Sequence, residues 1–193
     1  MSKLQSPLKQ YWAAYGGWGA LFSSKYLWFS FVFTLMCYSF WSKSPDEFIN
    51  MALSALPNLL GFALGGYAVW LGIGDQQLKK LLSQYDSDQN ENQSSDFMVV
   101  NATFVHFILV QIITLIYIVF LKTNSFSELV LYLKEYYLFS ECLTKLLSFS
   151  SKLAYGLSFF MFIYSILSML AATWAVFSIA RWSDQLNRHP NNK

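Results

Sequence analysis

MVVNATFVHFILVQIITLIYIVFL, residues 98–121, decides the fold class. It holds no Asp, Glu, Lys or Arg. At about 1.5 Å per residue a helix over this stretch is roughly 36 Å long, enough to cross about 30 Å of hydrocarbon. Three further stretches have the same character: residues 26–42, with YLWFSFVFTLMCYSFW over 26–41; residues 49–73; and residues 155–180. None of the four contains an Asp or Glu. The first is short, but aromatic residues stand at both of its ends, as they do at membrane interfaces. The pattern predicts an all-α polytopic membrane protein, a four-transmembrane-helix bundle in a single domain over 1–193.

Composition points the same way. Of the 193 residues 55% are hydrophobic and 12% charged, against about 25% charged in soluble domains. So few charges would not cover a water-soluble globule, and here they cluster between long uncharged runs. A net charge of +2, without a basic stripe, argues against direct nucleic-acid binding. Cys37 and Cys142 form no CxxC pair or Cys/His cluster, so no metal site is expected. The N-terminal MSKLQSPLKQYWAAYGG lacks the apolar core and cleavage site of a signal peptide. The first span is therefore expected to serve as its own insertion signal.

Lysine and arginine set the orientation. Lys3, Lys9, Lys25, Lys79, Lys80, Arg181, Arg188 and Lys193 fall on one side, and Lys43, Lys122, Lys134, Lys145 and Lys152 on the other. The richer side, with both termini and the loop 75–97, is expected to be cytoplasmic. Residues 4–22 repeat large side chains at helical spacing beside Lys9 and suit a helix at headgroup level, although Gly16, Gly17 and Gly19 weaken it. The loop 75–97 begins helically and becomes DSDQNENQSSD, too polar to pack. The loop 124–153 reads as amphipathic helix resting on the outer face.

Within the spans, Gly61, Gly65, Ala68 and Gly72 recur at steps of four, three and four, on one helix face. Small residues let helix backbones approach closely in lipid. The stripe fits packing within the protomer, or else an oligomer interface or pore lining. Pro57 removes a backbone donor and, with Asn58, is expected to interrupt the second span as a kink or a transport-site break. Asn58 is expected to satisfy the freed carbonyl. The third span carries Asn101, Thr103, His106, Gln111 and Thr114, groups that normally point into a bundle. His106 reads as a neutral histidine bonded to a neighbouring helix, or as a proton-sensing or permeation residue with Gln111 on the adjoining face. Ser158, Ser165, Ser168, Ala172 and Ala175 repeat the small-residue theme in the fourth span. No GxSxG, HExxH, GxxxxGK[ST] or paired carboxylate is present, so no catalytic or cofactor-binding residue is named.

An apolar strip, Leu78, Leu81 and Leu82 beside Lys79 and Lys80, suits either headgroup contact or, together with the tail from Arg181, docking of a soluble partner. The length, the four spans with cytoplasmic ends and the segment PNLLGFALGGYAVWLGIGD at 57–75 resemble the membrane subunit (KwaA type) of the bacterial Kiwa anti-phage defence system. The resemblance covers the whole chain as architecture and offers no motif to match position by position. It implies a homo-oligomeric inner-membrane sensor of phage attack that holds a soluble, DNA-binding effector at the membrane. Two functions remain: a membrane sensor or scaffold that oligomerises and recruits a cytoplasmic partner, and a small ion channel or pore-forming effector. Missing charged pore-lining residues favour the first.

Overall fold

The structure is a computed structural model that describes residues 6–73, 80, 83, 94–124 and 141–188. Regular structure among these residues is α-helical. Pro7, whose fixed φ and missing N–H suit a first turn, opens α1 (Pro7–Tyr15). Gly16, at φ 95°, ends it in the left-handed region, its N–H bonded to the Ala13 carbonyl at 3.1 Å. Gly17 is also left-handed and begins α2 (Gly17–Ser23). The one interfacial helix expected over 4–22 is thus divided where glycine escapes the steric penalty of positive φ.

The expected first span is divided too. It forms α3 (Lys25–Met36) and α4 (Tyr38–Lys43), parted at Cys37. The Trp41 indole donates to the Thr34 carbonyl across the break at 2.8 Å. Alone, α3 is about 18 Å long, shorter than the hydrocarbon core.

α5 (Pro45–Ile73) begins at a proline and carries Asp46 and Glu47 in its first turn, where carboxylates complement the helix dipole. It runs through Pro57 as one continuous helix, so of the two expectations there the transport-site break is not met. Pro57 withdraws the donor that would meet the Leu53 carbonyl. Asn58 does not supply that donor, because its Nδ2 bonds the Ser54 carbonyl instead, at 2.9 Å. α6 (Asp96–Thr123) is capped by Ser95, whose Oγ accepts the Met98 N–H at 3.4 Å. α7 (Glu141–Arg188) is one helix of 48 residues. The expected boundary between an outer amphipathic segment ending at 153 and a span starting at 155 is therefore absent. No proline lies there to remove a donor, and Gly156 is tolerated within the helix.

Among the described residues, three helices are long and apolar enough to cross a bilayer: Pro45–Gly72, Asp96–Thr123 and Lys145–Ser178. The shorter apolar helix Lys25–Met36 stands beside this count. Where the sequence led to an expectation of four spans, three helices reach spanning length among the described residues, and the expected first span is the short, divided α3–α4.

The chain forms two compact units. One comprises residues 28–60 and 110–166. Its core joins Phe48, Ile49, Ala52 and Leu56 of α5 to Ile118 and Leu121 of α6 and to Phe159 and Phe162 of α7, with Trp41 of α4. The Phe48 ring meets Phe159 at 5.1 Å and Phe162 at 5.9 Å, both tilted toward the edge-to-face geometry that aromatic pairs favour. The Tyr117 hydroxyl donates to the Ala154 carbonyl at 3.3 Å. At the end of this unit Lys122 lies 3.9 Å from Asp46, an exposed pair that contributes only ~0–1 kcal/mol. The other unit comprises 1–27, 61–109 and 167–193, of which the described parts bury Ala14, Ala63, Ala102, Phe104, Phe107 and Ala172.

Polarity in both units is inverted relative to a soluble protein. Phe29, Phe62, Ile116, Phe149, Leu153 and Trp174 are exposed, while Thr34, His106, Gln111, Thr114, Ser158 and Ser165 are buried. The buried hydroxyls bond their own helices: Thr34 to the Ser30 carbonyl at 2.7 Å, Thr114 to Val110 at 2.7 Å, Ser158 to Tyr155 at 2.8 Å, and Ser165 to Phe162 at 2.7 Å. An apolar exterior over hydroxyls satisfied within their own helices is what lipid demands.

Candidate functional site

The most organised polar cluster lies in the unit that holds the N-terminal helices. Tyr11 and Tyr15 stand four residues apart on α1 and so share a face. Both address His106 of α6. The Tyr11 hydroxyl lies 2.8 Å from His106 Nδ1. The Tyr15 ring stacks on the imidazole with centroids 3.9 Å apart and planes 14° from parallel. With the imidazole proton on Nε2, Nδ1 accepts the phenol O–H. Burial first, and the neighbouring Tyr15 second, push the Tyr11 hydroxyl up to about 12. It therefore stays a neutral donor throughout the ordinary pH range.

Beside the cluster is a cavity of about 370 Å³. Pro7, Gln10 and Tyr11 of α1 form one wall, and Tyr67 of α5 with Asn101 and Val105 of α6 form the opposite side. Asn101 is held twice, donating Nδ2–H to the Phe97 carbonyl at 2.7 Å and accepting the Trp70 indole at 3.3 Å. The residue singled out in the sequence, His106, is thus buried and met by two tyrosines of α1. The tyrosines that meet it are legible only as an i, i+4 aromatic pair.

The other residues singled out do not join it. Pro57 and Asn58 are exposed and belong to the opposite unit. Gln111 belongs to that unit as well, is fully buried, and leaves both amide atoms without a hydrogen-bond partner among the described residues. No group of three or more His, Cys, Asp or Glu able to hold a metal forms among the described residues. Leu78, Lys79, Leu81 and Leu82 lie outside them, whereas Lys80 and Arg181 are described and exposed.

The glycine stripe has a defined place. On α5, Ala63 is buried, the Tyr67 ring lies 5.6 Å from Phe104, and the Trp70 ring lies 6.2 Å from Phe97. These residues form the face turned to α6. Gly61, Gly65, Ala68 and Gly72 lie about half a turn away, on the opposite side. All four are exposed. A Cβ built on Gly61, Gly65 or Gly72 meets nothing within 4 Å.

Exposed apolar side chains and, among the described residues, three helices of spanning length are consistent with a membrane protein. Comparison narrows the class no further, because no family model, curated protein or solved structure matches the chain.

Proposed function

We propose that this chain is a non-enzymatic sensor or scaffold of a bacterial inner membrane, which assembles with copies of itself and holds a soluble effector at its cytoplasmic face. The observation that carries the proposal is the two-sidedness of α5. Its aromatic face is packed on α6, and its small-residue face is open. Glycine and alanine expose backbone that gains little from lipid chains, and a second helix packs closely against such a surface. In this reading α3 and α4 cross together as the fourth span, bent at Cys37, and both termini are cytoplasmic. The Tyr11–His106 contact fastens α1 to the spans, so that events at the headgroup layer reach the bundle. The resemblance to the Kiwa membrane subunit supports the same assignment, including a role in anti-phage defence, and Leu78, Leu81 and Leu82 with Lys79, Lys80 and Arg181 supply the docking surface.

Co-purification in mild detergent, followed by mass spectrometry, tests the proposal. One soluble protein should accompany the wild type and be lost on replacing Leu78, Leu81 and Leu82 with serine, with oligomer size unchanged. Retention of that protein by the triple variant overturns the docking surface. The second reading, a pore, draws on Gln111, a buried amide without a partner. It predicts ion flux through liposomes holding the purified protein alone, where a scaffold leaves them silent.

A further inference from the structure

A groove in the unit formed by 28–60 and 110–166 has the chemistry of a lipid site. It encloses about 590 Å³ between α3–α4 and α7, within the range of small-molecule sites. On α7 its residues are Phe149, Lys152, Leu153, Gly156, Leu157 and Phe160, which recur at helical spacing along one face. Phe31, Thr34, Leu35, Tyr38 and Trp41 face them. Beyond the break at Cys37, Trp41 is buried, and its indole meets Gly156 to form the floor.

The polar atoms of that floor are already engaged. Thr34 Oγ1 donates to the Ser30 carbonyl and Trp41 Nε1 to the Thr34 carbonyl. The interior therefore offers hydrocarbon and aromatic surface to a guest. Lys152 is the one cation lining the groove, and no acidic residue lines it. Lys152 is exposed and forms no ion pair among the described residues. Lys152 lies near the start of the apolar stretch Lys145–Ser178, a depth at which a lysine side chain reaches the headgroup layer. Tyr38, exposed and edge-on to Trp41 at 5.0 Å, adds an amphipathic ring there.

An apolar slot with a single free cation at its polar end complements one kind of guest. We propose that this groove binds an anionic phospholipid, with an acyl chain against Trp41, Gly156 and Leu157 and the phosphate on Lys152. The inference rests on membrane placement alone and stands or falls independently of the scaffold function.

Native mass spectrometry of the full chain in detergent, titrated with phosphatidylglycerol or with phosphatidylcholine of the same chains, tests it. The wild type should retain one phosphatidylglycerol in preference to phosphatidylcholine. Lys152→Glu should weaken phosphatidylglycerol retention about fivefold or more, and Lys152→Arg should keep it. Leu157→Trp, which fills the slot from an exposed position, should weaken retention of both lipids. Equal retention of the two lipids by the wild type, or retention indifferent to Lys152→Glu, overturns the headgroup assignment. Unchanged lipid retention by Leu157→Trp overturns the groove. If that variant instead lowers only the oligomer mass, a second copy of the chain occupies the groove and the lipid proposal is wrong.

Discussion

A Cβ placed on Gly156 would lie 3.0 Å from Cη2 of Trp41, 3.3 Å from Cζ3 and 3.4 Å from Cζ2. The indole and α7 fit together because that position carries no side chain. Trp41 is itself fixed, buried and bonded to the Thr34 carbonyl, so it has little freedom to yield. Gly156→Leu should therefore cost about 1–3 kcal/mol by overpacking, and Gly156→Ala less. Thermal unfolding in detergent checks this, and a Gly156→Leu variant as stable as the wild type would show that the indole moves aside.

The Tyr11–His106 contact gives a pH prediction. Tyr11 titrates above the ordinary tyrosine value, at about 12. The folded state thus holds this proton more firmly than the unfolded chain does. The resulting stabilisation is fully present below the ordinary tyrosine range and is lost as pH rises through the folded value. Tyrosinate absorbance should lose a late-titrating component in Tyr11→Phe. That variant keeps the ring and should loosen α1 at neutral pH, seen as faster amide exchange over Pro7–Tyr15. Unchanged exchange together with an unchanged alkaline titration would remove the contact from the account.

Gln111 is fully buried with both amide atoms unpaired among the described residues, and a buried unsatisfied polar group costs about 1–3 kcal/mol. Its neighbour one turn on, Thr114, is satisfied by the Val110 carbonyl. Gln111→Leu, close in volume, should accordingly raise thermal stability by about 1 kcal/mol and leave assembly intact. A loss of stability would mean that the amide binds something in the membrane, and would strengthen the pore reading.

The long helices were legible because the absence of charge over 98–121 admits few alternatives. The breaks were less so. Gly16 and Gly17 signalled a weak interfacial helix, and it does divide there, but nothing local marks Cys37 as a break, since the indole that meets the Thr34 carbonyl comes from four residues further on. Pro57 left a kink and a break both open, and the helix continues past it because one missing donor is tolerated within 29 residues. His106 could be picked out as a polar residue in a span. Its partners could not, because Tyr11 is 95 positions away. The small-residue stripe was readable from spacing, whereas its outward orientation follows from packing of Ala63, Tyr67 and Trp70 on α6.

Self-association through the open face of α5 is the central claim, and the mass of the purified particle tests it most directly. Gly65 lies on that face, and Val69, one turn on, is exposed but off the small-residue stripe. A Cβ on Gly65 meets nothing within 4 Å, so Gly65→Leu should leave the fold intact and obstruct only close approach by a second helix. Measured in mild detergent, wild type and Val69→Leu should give the same oligomer mass, and Gly65→Leu a smaller one. Equal masses for all three, or a monomeric wild type, would contradict the account.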